Sequence, residues 1–205
     1  MSRRAGGLRP ENDTRDRIVR GAAQLIRTQG VSRTGMRDVV AFADAPRGSL
    51  QHYFPGGKDQ LVCEALLWSG DASGALVRHL HRAISDPTPG RLLAELVGWW
   101  RDQLVHTGFD AGCPLVAAAV DVAADSDSIR RATSEALDHW ISPIAEALEE
   151  MGVPGARAVD LAVLTLSALE GAIVLTRIRQ EVSPLDVVVT ELSPVLDASV
   201  LGVSS

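Results

Sequence analysis

The chain has 205 residues, 46% of them hydrophobic, and a formal net charge of −6 at pH 7. This length and apolar content suffice for one extended helical domain or for a small domain joined to a larger one, and we favour two domains. Two cysteines fifty residues apart, without a CxxC spacing, favour neither a disulfide scaffold nor a zinc site, so we expect reduced thiols and no metal or other cofactor.

The charge is distributed unevenly along the chain. Residues 1–60 carry ten Arg and one Lys against six acidic residues, which gives this part +5 and leaves −11 for the other 145 residues. A basic segment on an acidic body predicts an anion-binding surface at one end. Nineteen of the twenty basic residues are Arg, which suits bidentate contacts with phosphate or guanine but is also typical of a GC-rich genome.

The N-terminal segment shows no signal for export or membrane insertion. Its basic residues are not followed by an apolar segment of signal-peptide type, and no run of 18 or more apolar residues occurs. We therefore expect a cytoplasmic protein without membrane contact. Residues 1–12, with Arg3, Arg4 and Arg9, are predicted to be a flexible basic tail. Such a tail can enter a minor groove of DNA, but we favour a tail without a role.

Hydrophobic periodicity predicts helices along almost the whole chain. The first, about residues 13–29, has apolar residues at helical spacing, aspartates at its start and Gly30 after its end. Two short helices follow at residues 35–43 and 46–53, and a Pro-Gly-Gly break at 55–57 ends the second of them. A tight turn joins these two helices, as in a helix-turn-helix whose second helix enters the major groove of DNA.

Six further helices are predicted beyond this break. The fourth is long and begins at Lys58, and we expect Gly70 and Gly74 to weaken its middle. The seventh is expected to bend near Pro143, because an interior proline removes a backbone hydrogen bond. The predicted ranges after the fourth helix are 91–108, 113–123, 128–152, 156–180 and 184–200. No β-alternation interrupts the series, so the fold class is all-α with about nine helices.

One segment carries a resemblance to a known family. TRDRIVRGAAQLIRTQGVSRTGMRDVVAFADAPRGSLQHYFPGGKDQLV resembles the DNA-binding domain of the TetR family of transcriptional regulators. APRGSLQHYFPGGKDQL is similar to the LmrA/YxaF-type branch, as are GCPL and ALEGAIVLTRIRQ further along. The resemblance implies a homodimer with a helix-turn-helix DNA-binding domain at residues 13–57. It also implies a larger helical domain at 58–205 that binds a small molecule and dimerises.

On this hypothesis the second and third helices contact double-stranded operator DNA. Leu50 and Phe54 are expected to point to the core, and for Tyr53 core packing and DNA contact are weighted equally. The arginines of the first helix, at 15, 17, 20 and 27, are interpreted mostly as a solvated face. The candidate DNA-binding residues are Thr34, Gly35, Arg37, Pro46, Arg47, Gly48, Ser49, Gln51, His52, Tyr53 and Lys58.

Three residues depart from the family's pattern in this region. Gln51 replaces a tyrosine and brings an amide suited to adenine. Asp44 replaces a turn glycine, so an aspartate must adopt the left-handed backbone conformation there. Gly35 replaces a capping hydroxyl residue, which leaves the N–H groups of the second helix, with Thr34 beside them, for a phosphate.

Residues 161–176 are apolar on nearly all sides, so this helix must be covered on both faces. One face of the helix can pack against the core and the other against a partner subunit. This helix, the ninth helix and the same two helices of a second copy would form a four-helix homodimer interface. Two-fold symmetry would set the recognition helices about 34–36 Å apart, one turn of DNA. The sixteen residues, interrupted by Glu170, are too few to span a bilayer. The candidate interface residues are Leu161, Leu164, Ala168, Gly171, Leu175, Val188, Leu192 and Val195.

The larger domain is also expected to hold an apolar effector pocket enclosed by helices four to eight. Core packing is the alternative for each aromatic residue, and at most one of Trp99 and Trp100 is expected to reach the cavity. His139 and Asp121 are further candidate polar anchors beside Glu170. We expect a hydrophobic small-molecule effector, aromatic or weakly cationic. The candidate ligand-binding residues are Trp68, Trp99, Trp100, Phe109, Cys113, Trp140, Glu170 and Ile173.

Two other classes of protein compete with a regulator. His106, Asp110 and Cys113 lie close in sequence, but no oxyanion, phosphate-loop, HExxH or paired-carboxylate motif accompanies them, so we expect no enzyme. A helical interaction scaffold, or a small-molecule-binding protein without DNA binding, would leave the basic end unexplained. The favoured hypothesis is a ligand-responsive repressor, released from a palindromic operator by a hydrophobic molecule.

Overall fold

The computed structural model describes residues 10–46, 48–122 and 125–200, and of residues 10–13 the backbone alone. Within these residues the chain forms nine α-helices and no β-strand, which confirms the predicted all-α class. In chain order the helices are α1 (Pro10–Arg33), α2 (Met36–Phe42), α3 (Ser49–Tyr53), α4 (Gly57–Ala83), α5 (Pro89–His106), α6 (Pro114–Asp121), α7 (Asp127–Glu150), α8 (Gly155–Arg179) and α9 (Ser183–Asp197).

Helices α1 to α3 form a head around an apolar core. Ile18 and Ile26 of α1 are fully buried, and Phe54 is 2% exposed, as predicted. Gly30 has φ 82° and ψ 171°, so the regular part of α1 ends at the glycine that the sequence indicated. Asp44, between α2 and α3, has the left-handed φ of 47° that its position in the turn predicted.

Helices α4 to α9 form the body, in which α4 and α7 make the most extensive helix contact. A Cβ atom on Gly70 would lie 2.4 Å from the carbonyl oxygen of Ala136, and one on Gly74 would lie 2.4 Å from that of His139. Both distances are far below van der Waals contact, so only glycine permits this approach. The sequence indicated Gly70 and Gly74 as weak points of α4, whereas the structure gives them a packing role.

Helix α8 is apolar on two sides but buries only one of them. By length and composition it is the one described helix that could cross a membrane, with a mean hydropathy of 1.9 over 18 residues, and half of that window is buried inside the subunit. The helix lies where the sequence predicted it, at about residues 156–180, and the sixteen-residue apolar run that was judged too short to span a bilayer is only its middle part. Its buried side packs against α7 and its C-terminal neighbour α9.

The head is joined to the body through α6 and the residues that precede it. The carboxylate of Asp121 accepts hydrogen bonds from the backbone N–H (2.6 Å) and the hydroxyl (2.7 Å) of Ser32. At the other end of α6, the backbone N–H of Gly112 donates to the carbonyl of Arg27 (2.8 Å). Lys58 Nζ, at the start of α4, donates to the carbonyl of Ser32 (3.2 Å). α6 is therefore fixed to α1 at both of its ends.

Candidate nucleic-acid interface and effector cavity

The outer surface of α2 and α3 presents polar side chains to solvent. Arg37, Gln51 and His52 are exposed, and so are Pro46 and Gly48 of the connecting segment. Ser49 is half-buried at the start of α3. Arg47, another candidate DNA-binding residue, lies outside the described residues. The exposed guanidinium, amide and imidazole are groups that hydrogen-bond phosphates and base edges.

Tyr53 lies between this surface and the core of the head. Its ring meets His52 edge-on at 4.7 Å between centroids and Phe54 at 6.4 Å. The side chain is half-buried and packs against the apolar core, so it positions His52 as well as facing solvent in part.

Three candidate DNA-binding residues make contacts with other groups of the same chain. Thr34 is 3% exposed, and its hydroxyl donates to the carbonyl of Gly30 at 2.6 Å. Gly35 caps α2 in an extended conformation, and a Cβ there would lie 2.6 Å from a carboxylate oxygen of Asp38. The Lys58 ammonium is already bonded to Ser32. The structure therefore does not bring Thr34 to the exposed surface, and it places an acidic group at the start of α2.

The arginines of α1 make contacts that the sequence did not indicate. Arg15 forms an ion pair with Glu64 at 2.6 Å and lies over the ring of Phe54. Arg17 donates to the carbonyl of Asp44 at 3.4 Å. Arg20 is exposed, as interpreted for this helix face. The ion pair and the Arg17 bond help to hold α1 against α4 and the helix-turn-helix turn.

A cavity of about 200 Å³ lies between α1, α4, α5 and α6. Both Trp99 and Trp100 line it, whereas at most one of them was expected to reach the cavity. Their rings meet edge to face, with centroids 5.2 Å apart and an angle of 89° between the ring planes, and in this arrangement both contact the cavity. Trp68 and Cys113 also line it, as predicted. The other lining residues are Ala23, Gln24, Arg27, Ser69, Ala72, Ser73, Leu76, Gln103, Pro114 and Leu115.

The other predicted pocket residues lie outside this lining. Trp140 is buried and stacks on Trp100, with ring centroids 6.2 Å apart, so it supports the cavity wall from behind. Ile173 is buried in the core, and Phe109 is half-buried in the loop after α5. From the sequence we interpret Arg27 as part of a solvated face of α1, whereas the structure places it in the cavity lining. Its spacing of four residues from Ala23, which also lines the cavity, puts both on one face of the helix.

Glu170 and Cys113 form a buried pair next to the cavity. Burial raises the pKa of Glu170 to about 7, an effect that the contact with the Cys113 thiol partly offsets. Burial also raises the pKa of Cys113 well above its usual value, and the neighbouring Glu170 adds to this. The thiol therefore stays protonated at neutral pH and is not an activated nucleophile.

The other polar candidates lie at the surface. The imidazole of His139 is 2.8 Å from the carboxylate of Asp71. Asp121 is exposed and bound to Ser32. His106 and Asp110 are exposed whereas Cys113 is buried, so these three do not form one site. In the part of the chain that the structure describes, no group of three or more His, Cys, Asp or Glu is placed to hold a metal ion.

Helices α8 and α9 expose apolar side chains on the side away from the core. A groove between them is lined by residues of both helices, including Ala168, Gly171, Leu175 and Val188. Leu161, in contrast, is 1% exposed and belongs to the core of the subunit rather than to this surface, and Leu192 is half-buried. The exposed apolar residues of the two helices are Val159, Val163, Leu164, Val174, Leu175, Ile178, Val187 and Val195.

Comparison with known proteins identifies the family. Residues 18–65 match bacterial regulatory proteins of the tetR family, and residues 89–191 match the C-terminal domain of LmrA/YxaF-like transcriptional regulators. The chain is 39% identical to an HTH-type transcriptional regulator of Mycobacterium tuberculosis over 89% of this chain and 93% of the relative. It is 30% identical to the HTH-type transcriptional regulator YxaF of Bacillus subtilis over 90% and 95%.

The fold is similar to solved structures of the same kind. The crystal structure of the regulatory protein TetR from Rhodobacter sphaeroides superposes with a TM-score of 0.76 at 19% identity, covering 88% of this chain and 97% of that one. Sequence and fold thus agree over both the head and the body. The chain belongs to the TetR family of helix-turn-helix DNA-binding transcriptional regulators, in its LmrA/YxaF-like branch.

Proposed function

We propose that the protein is a cytoplasmic homodimeric repressor that binds a palindromic operator and leaves it when a hydrophobic small molecule occupies the cavity. The observation that carries this proposal is the position of the cavity. α1 of the head supplies Ala23, Gln24 and Arg27 to a wall that α4, α5 and α6 complete. A ligand there contacts the DNA-binding head and the body at once.

Operator contact is assigned to the exposed polar surface of α2 and α3. Gln51 offers an amide that can pair with adenine, and His52 and Arg37 offer hydrogen bonds to base edges or phosphates. Positive charge concentrated in residues 1–60 supports binding to the DNA backbone. Because neutralised phosphates release counterions, the affinity should fall steeply with salt concentration.

Dimerisation is assigned to the apolar surface of α8 and α9. A second copy laid against it would cover side chains such as Leu175 and Val195, each 46% exposed, that otherwise face water. Two helices from each subunit would then form a four-helix interface. A two-fold axis there places two recognition helices on one face of the DNA, which is why the proposed operator is palindromic.

Release from the operator is assigned to a shift of α1 and α4 relative to the body. Trp68 of α4 lines the cavity, and Lys58 at the start of the same helix holds Ser32 of the head. Asp121 of α6 holds the same serine. A ligand that wedges between α1 and α5 would move this joint. The ligand can release DNA only if it binds the DNA-free form more tightly than the bound form.

The operator-binding surface is tested by titrating the full-length protein with the intergenic DNA upstream of its own gene. Gln51→Ala and His52→Ala should each weaken binding by about fivefold or more, because a specific base contact contributes about 1–3 kcal/mol. His79→Ala, an exposed histidine on α4, is the matched control and should bind as the native protein does. Unchanged affinity in both head variants would remove this surface from the proposal.

A further inference from the structure

The cavity contains a positive charge without an acidic residue among its described lining residues. Arg27 is the one charged residue among the described residues that line it. Its Nε donates to the carbonyl of Gly112 at 3.2 Å, and its guanidinium lies 5.8 Å from the centre of the Trp100 ring. Its Nη2 is buried without a hydrogen-bond acceptor. A buried donor without an acceptor is costly, so the guanidinium is suited to an acceptor that arrives with a ligand.

The surroundings of Arg27 do not supply the missing negative charge. Burial lowers the pKa of Arg27, and the nearby Arg177 acts in the same direction, whereas Cys113 opposes them. Arg177 itself donates to the carbonyl of Asp110 at 2.8 Å, so it remains a second cation at this end of the cavity. The buried carboxyl of Glu170 contacts the Cys113 thiol rather than the guanidinium. This end of the cavity therefore favours an anion.

We infer that the effector is a small lipophilic anion, with one or two aromatic rings among Trp68, Trp99 and Trp100 and a carboxylate or phenolate-type oxygen beside Arg27. The inference rests on the proposed function, since it takes the cavity as the effector site. Indole rings alone would also suit a cation, as the sequence suggested. The guanidinium of Arg27 disfavours a cationic effector, because it would repel a second buried cation beside it.

The size of the cavity limits the ring system. Its volume is about 200 Å³. A closed apolar cavity of roughly 150 Å³ holds one benzene molecule, so the space here fits one or two rings with a small polar group. Because Arg27 belongs to α1, the anion would bind directly to a helix of the head. Its charge would compete with the Gly112 carbonyl for the guanidinium and so alter the contact between α1 and the segment before α6.

Calorimetric titration of the full-length protein with three probes tests the inference. Naphthoate, naphthylmethanol and naphthylmethylamine share one ring system and differ in charge. Naphthoate should bind about tenfold or more tightly than naphthylmethanol, because a hydrogen bond to a charged group contributes that much, and naphthylmethylamine should bind most weakly. Arg27→Met should abolish the preference for naphthoate and Arg27→Lys should retain it. Arg20→Met, an exposed arginine on the same helix, is the matched control and should discriminate as the native protein does.

Three results would overturn the inference, and they differ in which other assignments they also remove. If naphthylmethanol binds as tightly as naphthoate, or naphthylmethylamine binds more tightly, the anionic class is wrong while the cavity remains an effector site. If none of the three probes binds, both the anionic class and the assignment of the cavity as the effector site fail. Retention of the naphthoate preference in Arg27→Met would show that another group holds the charge.

Discussion

Burial in the folded protein changes the acid–base chemistry of Glu170. Its carboxyl is buried on α8, and its pKa rises from an ordinary 4.5 to about 7. The unfolded chain releases this proton near its ordinary pKa, while the folded protein keeps it until about pH 7. The folded state therefore binds more protons than the unfolded state in this window, and its stability falls as pH rises from about 4.5 to about 7.

We expect Glu170→Gln to remove this loss, because the amide is neutral at every pH. As the pH rises from below 4.5 to above 7, the variant should gain about 3 kcal/mol in free energy of unfolding relative to the native protein. Urea unfolding across that range measures it. Glu146→Gln, an exposed glutamate on α7, should follow the native curve. Parallel curves for Glu170→Gln and the native protein would show that Glu170 is not the group responsible.

At the scale of the elements, the α4–α7 contact depends on the absence of side chains at two glycines. Gly70→Ala should destabilise the protein by about 1–3 kcal/mol, the usual cost of overpacking, because its Cβ would meet the backbone of Ala136. Gly98→Ala on α5 is the matched control. Its Cβ would meet nothing within 4 Å, so it should be neutral or stabilising by about 0.4–1 kcal/mol. Thermal unfolding compares the two, and equal shifts would refute the packing role.

The joint between α6 and the head depends on Asp121. Asp121→Ala removes the acceptor of two hydrogen bonds from Ser32, at 2.6 and 2.7 Å, so the variant should have a looser connection between α1 and α6. Hydrogen exchange at the Ser32 amide should become several-fold faster. Asp138→Ala, on the exposed side of α7, is the control and should leave this exchange unchanged. Native exchange rates in Asp121→Ala would mean that Lys58 and the Arg27–Gly112 contacts hold the joint alone.

At the scale of the whole molecule, we expect the apolar surface of α8 and α9 to form the interface of the proposed homodimer. Leu175→Glu should yield a monomer in sedimentation experiments and should lose operator affinity, because a charge on this surface opposes burial against a second copy. Val105→Glu is the control, since Val105 is 57% exposed on α5, outside this surface. A Leu175→Glu protein that stays dimeric would place the interface elsewhere.

The order and type of the helices could be predicted from the sequence because they depend on local patterns. Helical periodicity, Gly30 and the turn at Asp44 are read within a few residues, and the structure has all three features. Tertiary partners decided the rest. Thr34 is buried with its hydroxyl bonded to the carbonyl of Gly30. Arg27 lines the cavity because residues of α5 and α6 form the opposite walls. The two indoles of Trp99 and Trp100 share one cavity through an edge-to-face contact that their adjacency in sequence did not indicate.

If two copies of this chain bind one operator through α2 and α3, the DNA that they select should be a symmetric repeat. Selection of bound duplexes from a random DNA library by the full-length protein measures this. We expect enrichment of an inverted repeat whose half-sites are centred about 10 base pairs, or a multiple of that, apart. Enrichment should be lost with His52→Ala and with Leu175→Glu. Recovery of a single asymmetric site, or of no sequence at all, would show that the protein does not bind DNA as a symmetric dimer through these helices.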